Sequence, residues 1–492
     1  MNSHRKSAAG FAVTLPVVVL LFVVLPSGCR KEGAKEEAKG QVTEPVKKEP
    51  AAGPTASPIL LVAVDGMEWD VVLPLLAEKK LPTLAKLMKR GQYGLLLSFR
   101  PTKSPVIWTS AATGKRPEKH GILSFAYATK YQPHKLFTSE NRTTKAIWNI
   151  LSDYHCRVCS IGWWMTYPVE QINGVMVAQT NTLDQIDTQG GKNIWKGRLV
   201  EGLPDQVHPP RRQNEITEIL EDMERNLSAL TAEIFAQFGS PLSPLGQRLW
   251  NNCRWAFRAD ATYLRIAEKL LEEETFDLTL VYLGGPDVVG HRFWRYMQPE
   301  LYAHKPSAEQ IENFGHLIED YYVYTDRAIG RLLAACPPEV TVMIASDHGM
   351  GPVNQTAEFD PDDPPSDVNS AHHLDAPPGL CIVAGPYIRK FAKRVSPEKL
   401  QRRDLTSVGS VLDITPTLLT MLRIPIGEDM DGRVMKRLFT GDFDASSLPA
   451  AVATHDDPDY LASRPKTAAA HPAQQERLRQ LRSLGYIKGD DE

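Results

Sequence analysis

Five short, mostly apolar runs stand out along the chain: Ile59–Val64, 157–161, Leu278–Leu283, 340–345 and 380–384. Little polar–apolar alternation interrupts them, which is the pattern of strands buried on both faces, as in a parallel sheet. Helical periodicity fills the intervals. Residues 81–90 stop at Gly91, a favoured residue just past a helix. Ile216, Ile219, Leu220, Met223, Leu227, Leu230 and Ile234 recur at the spacing of one helix face, and 256–274 and 311–335 repeat that period. Strands alternating with helices predict an α/β fold in which a mostly parallel sheet is covered on both faces. Residues of about 185–250 break the alternation with a helical, Pro-flanked insert. It is expected either to cap the functional site or to pack outside the sheet.

Polar residues that follow three of these runs bring in chemistry. Asp65 follows Ile59–Val64, and Asp347 and His348 follow 340–345 within Ser346-Asp347-His348-Gly349-Met350. After Leu278–Leu283 comes Pro286-Asp287-Val288-Val289-Gly290-His291, in which Asp287 and His291 are four apart and so share a helix face one turn from each other. Carboxylates with imidazoles suit divalent zinc or manganese better than a soft metal. Any one Asp can be a helix cap and any one His a satisfied core residue. Acidic and imidazole groups at three strand ends point instead to an active site, because sites in open α/β sheets lie at strand carboxyl ends.

The length of 492 residues allows one large domain with insertions, or two domains. A net charge of −3 with mixed signs and no basic blocks gives no footprint for a nucleic-acid polymer. At the N-terminus, His4, Arg5 and Lys6 precede an apolar run, 11–25, and then Pro26-Ser27-Gly28-Cys29. This is the form of an export signal, too short and too Pro-interrupted for a membrane span. A Cys after small residues resembles a bacterial lipoprotein signal, with Pro26 where Leu is usual. The resemblance implies an exported, cell-envelope protein anchored to a membrane through lipidated Cys29; an ordinary cleaved signal or an uncleaved anchor is the alternative. Residues 30–57, rich in Lys, Glu, Ala, Gly and Pro, are expected to be a disordered tether. Residues 58–440 form the folded domain, and 441–492 a loose tail ending in an amphipathic segment, 475–484. Five further cysteines, Cys156, Cys159, Cys253, Cys336 and Cys381, make no disulfide framework. Cys156 and Cys159 have redox spacing, but at a strand start they would point to opposite faces and are expected to be buried and structural.

Between the first two runs lies Pro101-Thr102-Lys103-Ser104-Pro105-Val106-Ile107-Trp108, continuing through small residues to Thr113-Gly114. Ser104 before Pro105 predicts an N-cap followed by Pro at the first helical position. A Ser there can be a cap only. Beside a metal-ligand set it is instead a nucleophile, activated by coordination and close to backbone donors.

These segments together resemble the alkaline phosphatase superfamily, within it the type I phosphodiesterase/nucleotide pyrophosphatase group, from about 58 to 440. The matching elements are Val64-Asp65-Gly66, the Ser104 helix with Thr113-Gly114 and His120-Gly121-Ile122, the Asp287–His291 and Ser346–Met350 segments, and Ser370-Ala371-His372-His373-Leu374-Asp375-Ala376-Pro377 continuing to Pro386. The resemblance implies a doubly wound α/β sandwich and two zinc-type sites. One would use Asp65, Asp347, His348 and Ser104; the other Asp287, His291 and His373, with His372 as the alternative. Nucleotide pyrophosphatases usually have Thr as nucleophile and Asn three residues later. Here Ser104 and Ile107 stand in those places, so nucleotide specificity does not carry over, although Thr109 or a backbone N–H is a possible substitute. The sulfatase pattern fits poorly, since Pro105 is one residue after the nucleophile and Trp108 stands four after it.

The function implied is a metal-dependent hydrolase of small phosphate esters, diester or monoester. Ser104 would form a phospho-Ser intermediate that is then hydrolysed. A phosphoryl or phosphoethanolamine transferase could use the same intermediate, and a non-catalytic surface binding protein could keep the fold. Trp163-Trp164 and Phe293-Trp294 are candidates either for a pocket lining or for core packing.

Overall fold

The computed structural model describes residues 57–127, 135–179, 205–235, 244–356, 369–373, 375–390, 395–441, 443, 448–458 and 460. Among them one sheet holds nine strands: β1 (Ile59–Val64), β2 (Gln92–Leu97), β3 (Val158–Ile161), β4 (Gly174–Val177), β5 (Val207–His208), β6 (Leu278–Leu283), β7 (Thr341–Ala345), β8 (Gly379–Ala384) and β9 (Ser407–Ser410). Their spatial order is β9-β2-β8-β7-β1-β6-β3-β4-β5. From β7 to β4 every pairing is parallel. Strand β1 is central and buried along its whole length, as are β6, β7 and β8. Ile59 faces Leu278 and Thr341, and Ala63 faces Tyr282 and Ala345. The carboxyl ends of β1, β6 and β7 are therefore level, and the polar residues that follow each strand emerge from one edge of the sheet.

Helices flank the sheet. Four matter for the site or its support: α1 (Ser104–Thr113), α2 (Pro244–Glu273), α3 (Gly285–Met297) and α4 (Leu317–Ala335). All ten residues of α1 are buried, so it has no solvent face to pattern. It ends at Gly114, whose φ of 68° is the left-handed conformation that glycine adopts without strain. α2, α3 and α4 pack against one another.

The expected doubly wound, mostly parallel α/β sheet is present, with differences in detail. The run 380–384 is a strand but antiparallel to both β7 and β2. An apolar run reports burial on both faces and carries no information on direction. The strands β2, β5 and β9 lacked a clear apolar run: β2 contains Gln92 and Gly94, and β9 is Ser-Val-Gly-Ser, while β4 is a short apolar run, Gly-Val-Met-Val, outside the five singled out. The stripe across 216–234 is two helices, Gln213–Arg225 and Leu227–Ile234, and 311–335 divides into Ala308–Phe314 and α4. At the second break Gly315 is crowded: a Cβ there would lie 2.6 Å from the Ile311 carbonyl and 3.0 Å from that of Tyr296.

The described helices of the insert pack on α2 and α4, and Phe235 meets Phe257 and Tyr321. Insert residues 185–204 and 236–243 lie outside the described residues. Where it is described, the tail touches the folded domain. Asp456 pairs with Lys115 at 2.7 Å, and the Tyr460 hydroxyl donates to Glu170. Acidic side chains from the tail find a buried lysine there. The 475–484 segment, the export signal with Cys29 and the tether lie outside the described residues. No helix among the described residues is long and apolar enough to cross a membrane. The five described cysteines are free, and burial pushes the Cys156 thiol up to about 12, which fits a structural role.

Candidate active site

The level strand ends and the helix that starts at Ser104 bring together Asp65, Ser104, Asp287, His291, Asp347, His348 and His373. Asp65 leaves β1 with its N–H donated to the Leu283 carbonyl of β6, 2.9 Å. Gly66 follows at φ 67°, and a Cβ on it would lie 2.8 Å from the Cα of Asp287, so only glycine lets β1 and α3 approach this closely. Its N–H donates to Asp347 Oδ1 at 3.3 Å. Asp347 and His348 leave β7. Asp287 lies in the first turn of α3, with His291 one turn on. His373 arrives on the segment that leads into β8.

The contacts form a chain. Ser104 Oγ donates to Asp65 Oδ1 at 3.4 Å. His348 Nε2 is 3.3 Å from Asp65 Oδ1 and 3.3 Å from Asp347 Oδ2. The rings of His348 and His373 stack with centroids 3.8 Å apart. His373 Nε2 is 3.7 Å, and His291 Nε2 3.4 Å, from Asp287 Oδ1. Donor atoms of Asp65, Asp347 and His348 fall within 4.8 Å of one another, and so do those of Asp287, His348 and His373. His348 thus lies between two donor groups. His372 is turned elsewhere: its Nδ1 accepts the His373 backbone N–H at 2.8 Å.

The imidazoles are oriented from behind. His291 Nδ1 donates to the Ala371 carbonyl at 2.7 Å, and His348 Nδ1 to the Gly349 carbonyl at 3.0 Å. The Thr102 hydroxyl donates to the His373 carbonyl, so its oxygen accepts from His373 Nδ1, 3.3 Å away. A carbonyl can only accept, so Nδ1 carries the proton in each ring and Nε2 is turned to the carboxylates. Backbone or hydroxyl partners on the far nitrogen are the usual support of metal-binding histidines. Asp347 Oδ2 and His348 Nε2 are buried without a hydrogen bond of good geometry, as expected of atoms disposed for a cation.

Charge balance agrees. Burial, then the Asp65 carboxylate, push the Asp347 carboxyl well above the ordinary range. Burial also opposes charge on Asp287, but His291 and His373 outweigh it and hold that carboxyl below the usual range. Burial opposes charge on His348 too, yet Asp347 and Asp65 raise it to about 10. Burial, then His348, hold His373 well below the normal imidazole range. Three mutually repelling carboxylates with inward-turned Nε2 atoms are a donor set that fits divalent cations.

The helix start differs from expectation. Lys103 is the N-cap and Ser104 the first helical residue, with no side-chain cap bond. Pro105 therefore falls one position later than predicted. The N–H groups of Val106 and Ile107 both donate to the Lys103 carbonyl, so they are not directed at a phosphate. Ile107 is fully buried, and the Thr109 hydroxyl donates back to the Pro105 carbonyl at 2.6 Å. Neither replaces the Asn found in nucleotide pyrophosphatases.

Two residues not singled out touch the site directly. Trp108 Nε1 donates to Asp65 Oδ2 at 3.1 Å and the Tyr282 hydroxyl to the same oxygen at 2.5 Å. Tyr282 stays protonated, since burial and then Asp65 push its phenol well up. A signal for Trp108 was present: it is one turn beyond Ser104 and shares its helix face. Trp163 and Trp164 back these two rings, and Phe293 and Trp294 are buried within α3; all four pack the interior. A further unpredicted group is Glu68, buried against Gly349, and burial pushes it up to about 8.

No curated protein matches the chain. Similar solved structures include wild-type alkaline phosphatase PafA, at 13% identity over 79% of this chain and 100% of that one, with a TM-score of 0.47. Phosphonoacetate hydrolase from Sinorhizobium meliloti 1021 in complex with phosphonoformate is 16% identical over 62% of this chain and 60% of that one, TM-score 0.37. Human ectonucleotide pyrophosphatase/phosphodiesterase 5 is 14% identical over 75% and 95%, TM-score 0.39. The model of the type I phosphodiesterase/nucleotide pyrophosphatase family matches residues 59–404, well over half the chain. The chain belongs to that family and is a phosphoric ester hydrolase.

Proposed function

We propose that the protein hydrolyses small phosphate esters in two displacements at Ser104, with two divalent cations, zinc or manganese, as cofactors. Asp65, Asp347, His348 and Ser104 would hold one ion, and Asp287, His291 and His373 the other. Bound there, the ions would supply Lewis-acid stabilisation of the phosphoryl group and favour the ionised serine. The observation that carries the reading is the placement of Ser104 Oγ on Asp65 Oδ1, the same oxygen that faces His348. A nucleophile that shares a ligand oxygen with the ion is already positioned for activation. Ser104 Oγ would form a bond to phosphorus as the ester oxygen departs, and water would then cleave the phospho-Ser bond. Placing Ser104 first in α1 adds the favourable end of the helix dipole.

The test is a screen of residues 58–460 with added zinc or manganese against phosphomonoesters, phosphodiesters and phosphonates. Turnover that disappears with chelator and with Ser104→Ala supports the reading. A well-folded, metal-loaded protein inactive on all three classes favours a binding role.

We also propose that the chain is anchored in the cell envelope through Cys29, on the strength of the Ser27-Gly28-Cys29 signal and the polar tether behind it. One acyl chain binds membranes weakly, and the several chains of a lipoprotein N-terminus would hold it. Cys29→Ser should move the protein from the membrane to the soluble fraction. A variant that stays equally membrane-bound refutes lipidation.

A further inference from the structure

We propose that Trp108 and Tyr282 are positioning residues that confine Asp65 to a single cation-facing oxygen. The inference rests on the reading of Asp65 as a metal ligand. A carboxylate offers two acceptor directions on each oxygen. Both directions of Oδ2 are used, one by Trp108 Nε1 and one by the Tyr282 hydroxyl. Oδ1 is left to Ser104 Oγ and His348 Nε2. Asp65 would therefore bind through one oxygen. A four-coordinate ion ligated once by each of Asp65, Asp347 and His348 keeps one position for Ser104 or substrate, which a two-oxygen Asp65 would occupy.

The donors are held as firmly as the acceptor. Trp108 and Tyr282 meet edge-to-face at 6.0 Å. Trp163 packs edge-to-face on Trp108 at 5.3 Å, with its Nε1 donating to the Trp108 carbonyl at 3.2 Å. Trp164 packs edge-to-face on Tyr282 at 6.2 Å. All four rings are buried. Ser104 and Trp108 are one turn apart on α1 and bind opposite oxygens of one carboxylate, so the nucleophile, its helix and the ligand are locked in register. A buried indole or phenol needs some acceptor in any fold. Convergence of both on the far oxygen of one site carboxylate is what the proposal explains.

The test uses Tyr282→Phe, which removes one oxygen, and Trp108→Phe, which removes the other donor. Zinc affinity is measured by competition with a chromophoric chelator, and the visible spectrum of the cobalt(II)-substituted protein reports coordination number. Both variants should weaken one zinc ion by ~10–100-fold, the usual effect of losing a partner of a metal ligand, and leave the other ion unchanged. The cobalt bands should lose intensity as the freed Oδ2 raises the coordination number. Unchanged affinity and spectrum in Tyr282→Phe, with only a lower melting temperature, would show that the rings merely pack the core, and would overturn the proposal while the two-metal reading stands. Wild-type protein that holds none of zinc, manganese and cobalt overturns both.

Discussion

The two halves of the donor cluster are built on different supports. The half around Asp65, Asp347 and His348 grows from the ends of two adjacent central strands, β1 and β7, and its Asp65 is gripped from behind by two aromatic donors. The half around Asp287, His291 and His373 grows from the first turns of α3 and from a short segment before β8, and its rings lean on the Ala371 carbonyl and on the Thr102 hydroxyl. The first half has two carboxylates and one imidazole, the second one carboxylate and two imidazoles. More negative charge on a stiffer frame predicts that the first half retains its ion longer. Ser104, the proposed nucleophile, sits on that half, so the strand-borne half would place the attacking group and leave the helix-borne half for the other side of the phosphoryl group.

The largest expected effect separates the hydroxyls of Ser104 and Thr102. Losing a metal-activated nucleophile should cost at least ~4 kcal/mol of transition-state stabilisation, about a thousandfold in rate, since each ~1.4 kcal/mol is tenfold. Ser104→Ala should therefore be nearly inactive with its metal content intact. Near wild-type turnover in Ser104→Ala, with the loss appearing in Thr102→Ala, would reverse the roles of the two residues.

Elemental analysis of Asp347→Ala and Asp287→Ala tests the division itself. Each should lose mainly one ion, the first from the half carrying Ser104 and the second from the half carrying His291. On dilution into chelator, wild-type protein should release the Asp287-side ion first. Full metal content in both variants would remove the ligand assignment. Because His348 lies between the halves, His348→Ala should disturb both.

What the sequence made legible was the part fixed by strand ends. An apolar run followed at once by Asp65 or Asp347 locates a carboxylate to within a residue, and the four-residue spacing of Asp287 and His291 locates a helix face. His373 rather than His372 was legible only through resemblance, because neighbouring histidines differ in direction and not in type. The antiparallel sense of β8 was hidden, since burial on both faces does not depend on direction. Tyr282 was hidden inside an apolar run, where a phenol reads as one more buried ring until its cross-strand neighbour is known to precede Asp65. The cap position was misplaced by one residue because Ser-Pro suits two registers of a helix start.

Glu68 bears on the stiffer half from behind. Its folded-state value is raised from 4.5 to about 8, so the folded chain binds a proton there that the unfolded chain releases. Stability from this group is complete below about pH 4.5 and is lost progressively as pH rises toward 8. Glu68→Gln removes the titration. In chelator, the melting temperature of the variant should match wild type near pH 4.5 and exceed it by several degrees at pH 8.5. A constant difference across that range would mean that Glu68 finds a compensating partner.

The smallest expected effect concerns the other half. Thr102→Val keeps the shape of the side chain and removes the oxygen that accepts from His373 Nδ1. His373 would then lose the contact that fixes its proton on Nδ1 and turns Nε2 toward Asp287. The expected result is about tenfold weaker binding of one zinc ion, the low end for removal of such a partner, with the ion on the Ser104 side unaffected. His372→Ala is the matched control, because the His372 Nδ1 accepts a backbone N–H within the same segment, and it should leave both affinities within about twofold. Chelator competition on the two variants side by side reads the outcome. A larger loss in His372→Ala than in Thr102→Val would make His372 the ligand and would place the helix-borne half of the cluster one residue earlier in the chain.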